Sequence, residues 1–279
     1  MRESEQPESF VWSSAEPAYH ALLAPELGEA AASPVHAELL AARALRLRTA
    51  TIGGVCRPES EVSLAPLAHL PALREVDLTR TYLRQDDIDA LAGHVGIEAL
   101  ALRAYGDAIQ DRLDLAPLRA LAGLRRLTLV DLRVRSLAPL AGLRGLRALR
   151  IRYNATMGAL VAEPERLSLA PLRGLEALEL AGRLGRVALE LAELGRCARL
   201  RELRLSDTED APLVSAAPLA RLRRLRRLDL AGTRLAGLDG LWELPLEVLE
   251  VPATVPQAEV VAFLGAHPGC EVYRAGVGP

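Results

Sequence analysis

The sequence predicts an α/β solenoid, a stack of coils that each hold a bend and a strand, and three observations predict it. The first is the stretch Ser136–Asn154, SLAPLAGLRGLRALRIRYN, where leucines fall at Leu137, Leu140, Leu143, Leu146 and Leu149 before the step shortens to two at Ile151. A period near three keeps one side of a tight, helix-like arc inward, and a period of two belongs to an extended strand. One such unit cannot bury its apolar side alone, but a stack can. The second is recurrence: the frame Leu-x-x-Leu-x-Leu begins at Leu73, Ile97, Leu124, Leu146, Leu175, Leu200, Leu225 and Leu246. Its second apolar residues, Val76, Leu100, Leu127, Leu149, Leu178, Leu203, Leu228 and Leu249, are 24, 27, 22, 29, 25, 25 and 21 residues apart. The third is composition: 50% hydrophobic but 3% aromatic residues over 279 positions, so leucine and alanine must fill the core.

With these frames the chain resembles the leucine-rich repeat family, whose pattern is L-x-x-L-x-L-x-x-N/C-x-L in units of roughly 20–29 residues. The resemblance runs from about Leu64 to Val272, and the LAPL arcs look closest to the short bacterial, internalin-like kind. It implies a right-handed solenoid, or horseshoe, with a concave parallel β-sheet and convex short helices or 3-10 arcs. The ninth position, usually Asn, holds Thr81, Tyr105, Leu132, Asn154, Arg183, Thr208, Thr233 and Thr254. A threonine hydroxyl does part of what an Asn amide does for neighbouring turns. The stack is therefore expected to be irregular, loosest around Leu132 and Arg183.

Three segments follow. Residues 1–34 lie outside the repeats as an acidic leader or N-terminal cap; six glutamates stand among residues 1–35 against Arg2 alone. The leader begins MRESEQPESF, which lacks the apolar run of a secretory signal. It is either solvated or docks Phe10, Trp12 and Tyr19 on the open end of the stack, since an apolar end has to be capped. Residues 35–255 form the solenoid, opening with an atypical repeat whose strand spans Ala44–Arg48. Its arcs are LAPL at Leu64, Leu115, Leu137 and Leu169 and the variant Ala-Pro-Leu ending at Leu219, where proline fixes φ and withholds a donor. Gln85–Gly93 and Val187–Leu194 replace the arc with a helix, and 154–167 should form a projecting loop. Residues 256–279 close the stack with a helix over Pro256–Ala266 and a last strand near Cys270 and Val272.

Candidate chemistry is sparse. His20, His36, His69, His94 and His267 share no metal-ligand spacing, and His94 takes a leucine position, which makes it structural. Cys56, Cys197 and Cys270 are odd in number and far apart, and Cys197 also takes a leucine position. They read as reduced thiols of a cytoplasmic protein. No phosphate loop, GxSxG or HExxH is present. The sequence therefore predicts no enzyme, no cofactor and no metal. All 34 basic residues are arginine, a codon bias that suggests a bacterial source, and the net charge of -2 gives no overall pull to nucleic acid or membrane.

Surface remains. Strand alternation turns Asp77, Ala101, Thr128, Arg150, Glu179, Arg204, Asp229 and Glu250 outward at the centre of the sheet. Arg103, Arg126, Arg150 and Arg152 are expected to form one basic patch, with Glu75 and Asp77 on one side, Glu179 on the other and Tyr105 and Tyr153 at the rim. Such a patch is either a solvated face or an anion-seeking surface, because arginine grips carboxylates with two bonds. The expected partner-binding set is Arg103, Arg126, Arg150, Arg152, Tyr105, Tyr153, Arg204, Asp77 and Glu179. The leading function is a non-catalytic protein-interaction module. The alternatives are an inhibitor of another enzyme and, less favoured by the charge, nucleic-acid binding.

Overall fold

In the computed structural model, the step of three is a run of single turns. Leu118 donates its N–H to the Leu115 carbonyl, Leu121 to Leu118 and Leu124 to Leu121, and the same relay links Leu137, Leu140, Leu143 and Leu146. The arcs Ala116–Ala120, Ala138–Gly142 and Ala217–Arg221 are 3-10 helices with proline in the first turn. Three residues per turn bring every third side chain back to one face, which is why those leucines are buried. The structure describes residues 10–13, 44–48, 70, 72–80, 83–104, 113–132, 134–153, 168–169, 172–182, 191–206 and 215–275, with backbone alone at 10–13, 44–48, 79–80, 153 and 191–192.

The chain forms two compact units, Met1–Arg135 and Ser136–Pro279. In the first, β1 (Phe10–Ser13), β2 (Ala44–Arg48), β3 (Glu75–Arg80), β4 (Ala99–Ala104) and β5 (Arg126–Val130) run parallel in sequence order. Leu45, Val76, Leu100 and Leu127 stand opposite one another, the register the repeat frame predicts. β1 is an addition: Phe10 pairs with Leu45 and Trp12 with Leu47, inside the segment set apart from the repeats on sequence. In the second unit, β6 (Ala148–Tyr153), β7 (Ala177–Gly182), β8 (Glu202–Ser206), β9 (Arg227–Asp229), β10 (Val248–Val251) and β11 (Glu271–Arg274) are again parallel neighbours in order. Leu149, Leu178, Leu203, Leu228, Leu249 and Val272 share one register row.

Each coil is tied to its predecessor where it enters the strand. The Arg74 carbonyl accepts both the Glu98 and Ala99 N–H, and the Glu98, Arg147, Glu176, Arg201 and Arg226 carbonyls receive the next coil in the same way. All three apolar positions of all eight frames are buried, from Leu73, Val76 and Leu78 through Leu246, Leu249 and Val251. At about 25 cal/mol per Å2 of apolar surface, this leucine stack dominates the stability.

Among the described residues, three short helices interrupt the arcs. The predicted first one is α1, Gln85–Leu91, where the Asp87 carboxylate accepts the Arg84 N–H 3.0 Å away and closes the exposed first turn. The second is α2, Leu191–Leu194; the beginning of its predicted span lies outside the described residues. The third is α3, Gln257–Ala266, with Val260 and Phe263 buried, and it leads into β11. Each helix clamps another coil. Gln85 bonds both the N–H and the carbonyl of Asp114, Glu193 accepts from the Leu169 N–H at 2.7 Å, and Glu259 accepts from the Leu238 N–H at 2.6 Å.

Of the ninth-position threonines, Thr254 bonds a neighbouring coil as expected, its Oγ1 donating to the Leu235 carbonyl at 2.6 Å, whereas Thr233 Oγ1 donates within its own coil, to the Leu230 carbonyl at 2.8 Å. Leu132 is buried at 1% exposure, next to Asp131, which among the described residues is the non-glycine with positive φ, +55°. Thr81, Tyr105, Asn154, Arg183 and Thr208, the projecting loop 154–167, the LAPL arc at Leu64 and residues 276–279 lie outside the described residues.

Candidate partner-binding face

A strand buries alternate residues, so the leucine register dictates which side chains the sheet turns outward. In the first unit these include Asp77 on β3, Arg103 on β4 and Arg126 on β5. Arg103 Nε stands 3.0 Å from Asp77 Oδ1. Arg126 Nη2 lies 2.6 Å from Glu75 Oε1, two strands away, and the residue between them in register is Ala99. The small alanine lets a long guanidinium pass over an intervening strand. That reach is invisible to a reading of adjacent positions.

The second unit carries a continuous row in register: Arg150, Glu179, Arg204, Asp229, Glu250 and Tyr273, one from each of β6 to β11. Arg150 Nε donates to Glu179 Oε2 at 2.6 Å. Arg152 Nε makes an ion contact of 3.1 Å with the other oxygen, Oε1, without hydrogen-bond geometry. The Glu179 side chain is 11% exposed, against 49% for Arg150 and 47% for Arg152. Arg204 Nε donates to Asp229 Oδ2 at 2.6 Å. Burial alone would lower the Arg204 pKa, but the Asp229 bond and the fields of Asp229, Glu179 and Glu250 outweigh it and raise it. Burial, then the charge of Asp229, pushes the Glu250 carboxyl above its ordinary range, with Arg204 opposing. At the end of the row, exposed Tyr273 donates its hydroxyl to Glu271 at 2.9 Å, which raises its pKa.

Of the four arginines expected to form one patch, Arg103 and Arg126 belong to the first unit and Arg150 and Arg152 to the second. Each faces a carboxylate: Glu75, Asp77 and Glu179, expected at the margins, are their direct partners. Tyr105 and the Tyr153 side chain lie outside the described residues. Asp229 and Glu250 stood among the predicted outward residues but not in the expected site. Aligning the second-unit frames by column would have shown the plus, minus, plus, minus order.

Elsewhere His94 is buried at 7% exposure. Cys197 and Cys270 are free and buried; burial, then a nearby glutamate, raises both thiol pKa values. His20, His36, His69 and Cys56 lie outside the described residues. Among the described residues no group of three or more His, Cys, Asp or Glu side chains is placed to hold a metal ion, and no helix is long and apolar enough to cross a membrane.

Comparison with known proteins adds the fold class. An internalin from Listeria monocytogenes aligns with a TM-score of 0.54 at 18% identity, over 86% of this chain and 69% of its own. A chain of the mouse RP105/MD-1 complex aligns with the same TM-score at 17% identity, over 86% of this chain and 44% of its own. The chain thus has the leucine-rich repeat fold, a solenoid of parallel strands with short helices and 3-10 arcs. No protein-family model matches the sequence, and no curated protein matches it.

Proposed function

We propose that this protein is a non-catalytic interaction module that binds a protein partner on the outward face of its sheet. The observation that carries the reading is the set of arginines held upright there by carboxylates. Arg103, Arg150, Arg152 and Arg204 each approach theirs through Nε. A guanidinium has five N–H donors, so the Nη groups of each keep four for a partner. Arg103, Arg126, Asp77 and Tyr105 belong to the proposed surface in the first unit, and Arg150, Arg152, Arg204, Glu179 and Tyr153 in the second. The solenoid architecture suits the role because stacked coils present an extended surface on a rigid frame. The similar chain from mouse belongs to a protein assembly, RP105/MD-1, which supports a protein as partner. A cytoplasmic place fits the free Cys197 and Cys270, and residues 256–275 serve as a C-terminal cap.

The test is capture of partners from a lysate of the source cells by the full chain and by Arg150→Glu. We expect the variant to keep the fold, judged by circular dichroism, and to lose partner binding about tenfold. Equal capture by both removes Arg150 from the account. Assaying captured enzymes for lost activity separates an inhibitor from a scaffold.

A further inference from the structure

We infer that the outward sheet face of the second unit takes an extended protein segment that is acidic where it crosses β6–β7 and basic where it crosses β10–β11. The inference rests on the interaction reading above and adds the partner's charge order.

The order follows from counting charges along the register row. Arg150 and Arg152 on β6 lean on the single carboxylate of Glu179, so that end carries a positive excess. Arg204 and Asp229 cancel in the middle, and the neighbouring in-register pair Glu202 and Arg227 is also of opposite sign. Beyond them Glu250 and Glu271 have no ion-pair partner among the described residues. The one arginine of β11, Arg274, is engaged elsewhere, with the carbonyls of Ala253 and Val255 and with Gln257. The face is therefore positive at β6–β7 and negative at β10–β11. Four strand steps of about 4.8 Å make about 19 Å, a span covered by about six residues of extended chain.

Both ends are built to receive the opposite charge. At the positive end, Glu179 is buried and orients two half-exposed guanidiniums from beneath, leaving their Nη groups to take a carboxylate by paired bonds. At the negative end, Glu250 sits against Asp229 on the next strand, and a partner cation placed between them relieves their repulsion. A nucleic acid fits less well. Its uniform negative charge would meet Asp229, Glu250 and Glu271, and Tyr273 alone gives the row an aromatic for base stacking.

Fluorescence anisotropy of labelled peptides against the full chain tests this. The peptides are a glutamate block joined to a lysine block, in both block orders because a segment can lie either way, together with all-glutamate, all-lysine and, as a polyanion, single-stranded DNA. We expect a two-block peptide to bind about tenfold more tightly than either single-charge peptide. Arg150→Glu with Arg152→Glu should lower that affinity about tenfold, and Glu250→Lys with Glu271→Lys should shift the preference to all-glutamate. Circular dichroism confirms that the variants are folded. The inference is overturned if two-block and single-charge peptides bind alike, if both double variants bind as the parent does, if nothing binds, or if the DNA binds most tightly. Partner capture that depends on Arg150 without any two-block preference would sink the charge order alone and leave the proposed function standing.

Discussion

At Glu179 one carboxylate serves two guanidiniums, so its removal leaves Arg150 and Arg152 as unshielded like charges, whereas removing either arginine leaves an ion pair intact. Glu179→Ala should therefore lower stability by about 1 kcal/mol, and Arg150→Ala by less, in paired denaturant titrations. Glu250 behaves oppositely. Its pKa is raised on folding, so the folded state holds the proton more tightly than the unfolded chain does. That advantage is complete below its ordinary value of 4.5 and disappears as pH rises through the folded value. Glu250→Gln should flatten this part of the stability profile, so that the variant gains on the parent as pH rises; parallel profiles would refute the assignment. At this scale the outward positions were legible in the sequence, because alternation along a strand is rigid. The ion pairs were not, because a guanidinium reaches sideways, as Arg126 does over Ala99 to Glu75.

Elements were easier to read than the ties between them. A step of three is the hydrogen-bond period of a 3-10 turn, so the arcs announced themselves, and α1, β2 and α3 fell close to their predicted spans. The clamps from Gln85, Glu193 and Glu259 were missed, since each joins residues 21 to 29 positions apart with no periodic mark. A leader that meets the open end of the stack at Phe10 and Trp12 was one of the two readings, but its form as a strand was missed, for four residues beyond the repeat frame carry too little pattern. Close packing between coils is also silent in sequence. Gly240 has φ +86°, and a Cβ there would stand 2.6 Å from Ala217 Cα. Gly240→Ala combines a disfavoured backbone with a clash against main chain and should cost about 2 kcal/mol by thermal or denaturant melting.

For the whole molecule the leucine frame was the readable part, because every coil repeats one register and every framed position is buried. The same burial governs the thiols. Cys197 and Cys270 sit inside the stack with pKa values pushed up, so little thiolate exists at neutral pH and little surface is offered. Iodoacetamide should label them slowly in the native protein and rapidly in denaturant; rapid native labelling would contradict the packing described. The two tryptophans, finally, are shared out one to each unit: Trp12 lies in β1, and Trp242 has its ring 5.4 Å from that of Phe263. Replacing either by phenylalanine would leave a single indole emitter, and the pair of variants would let the melting of each half be watched by its own light.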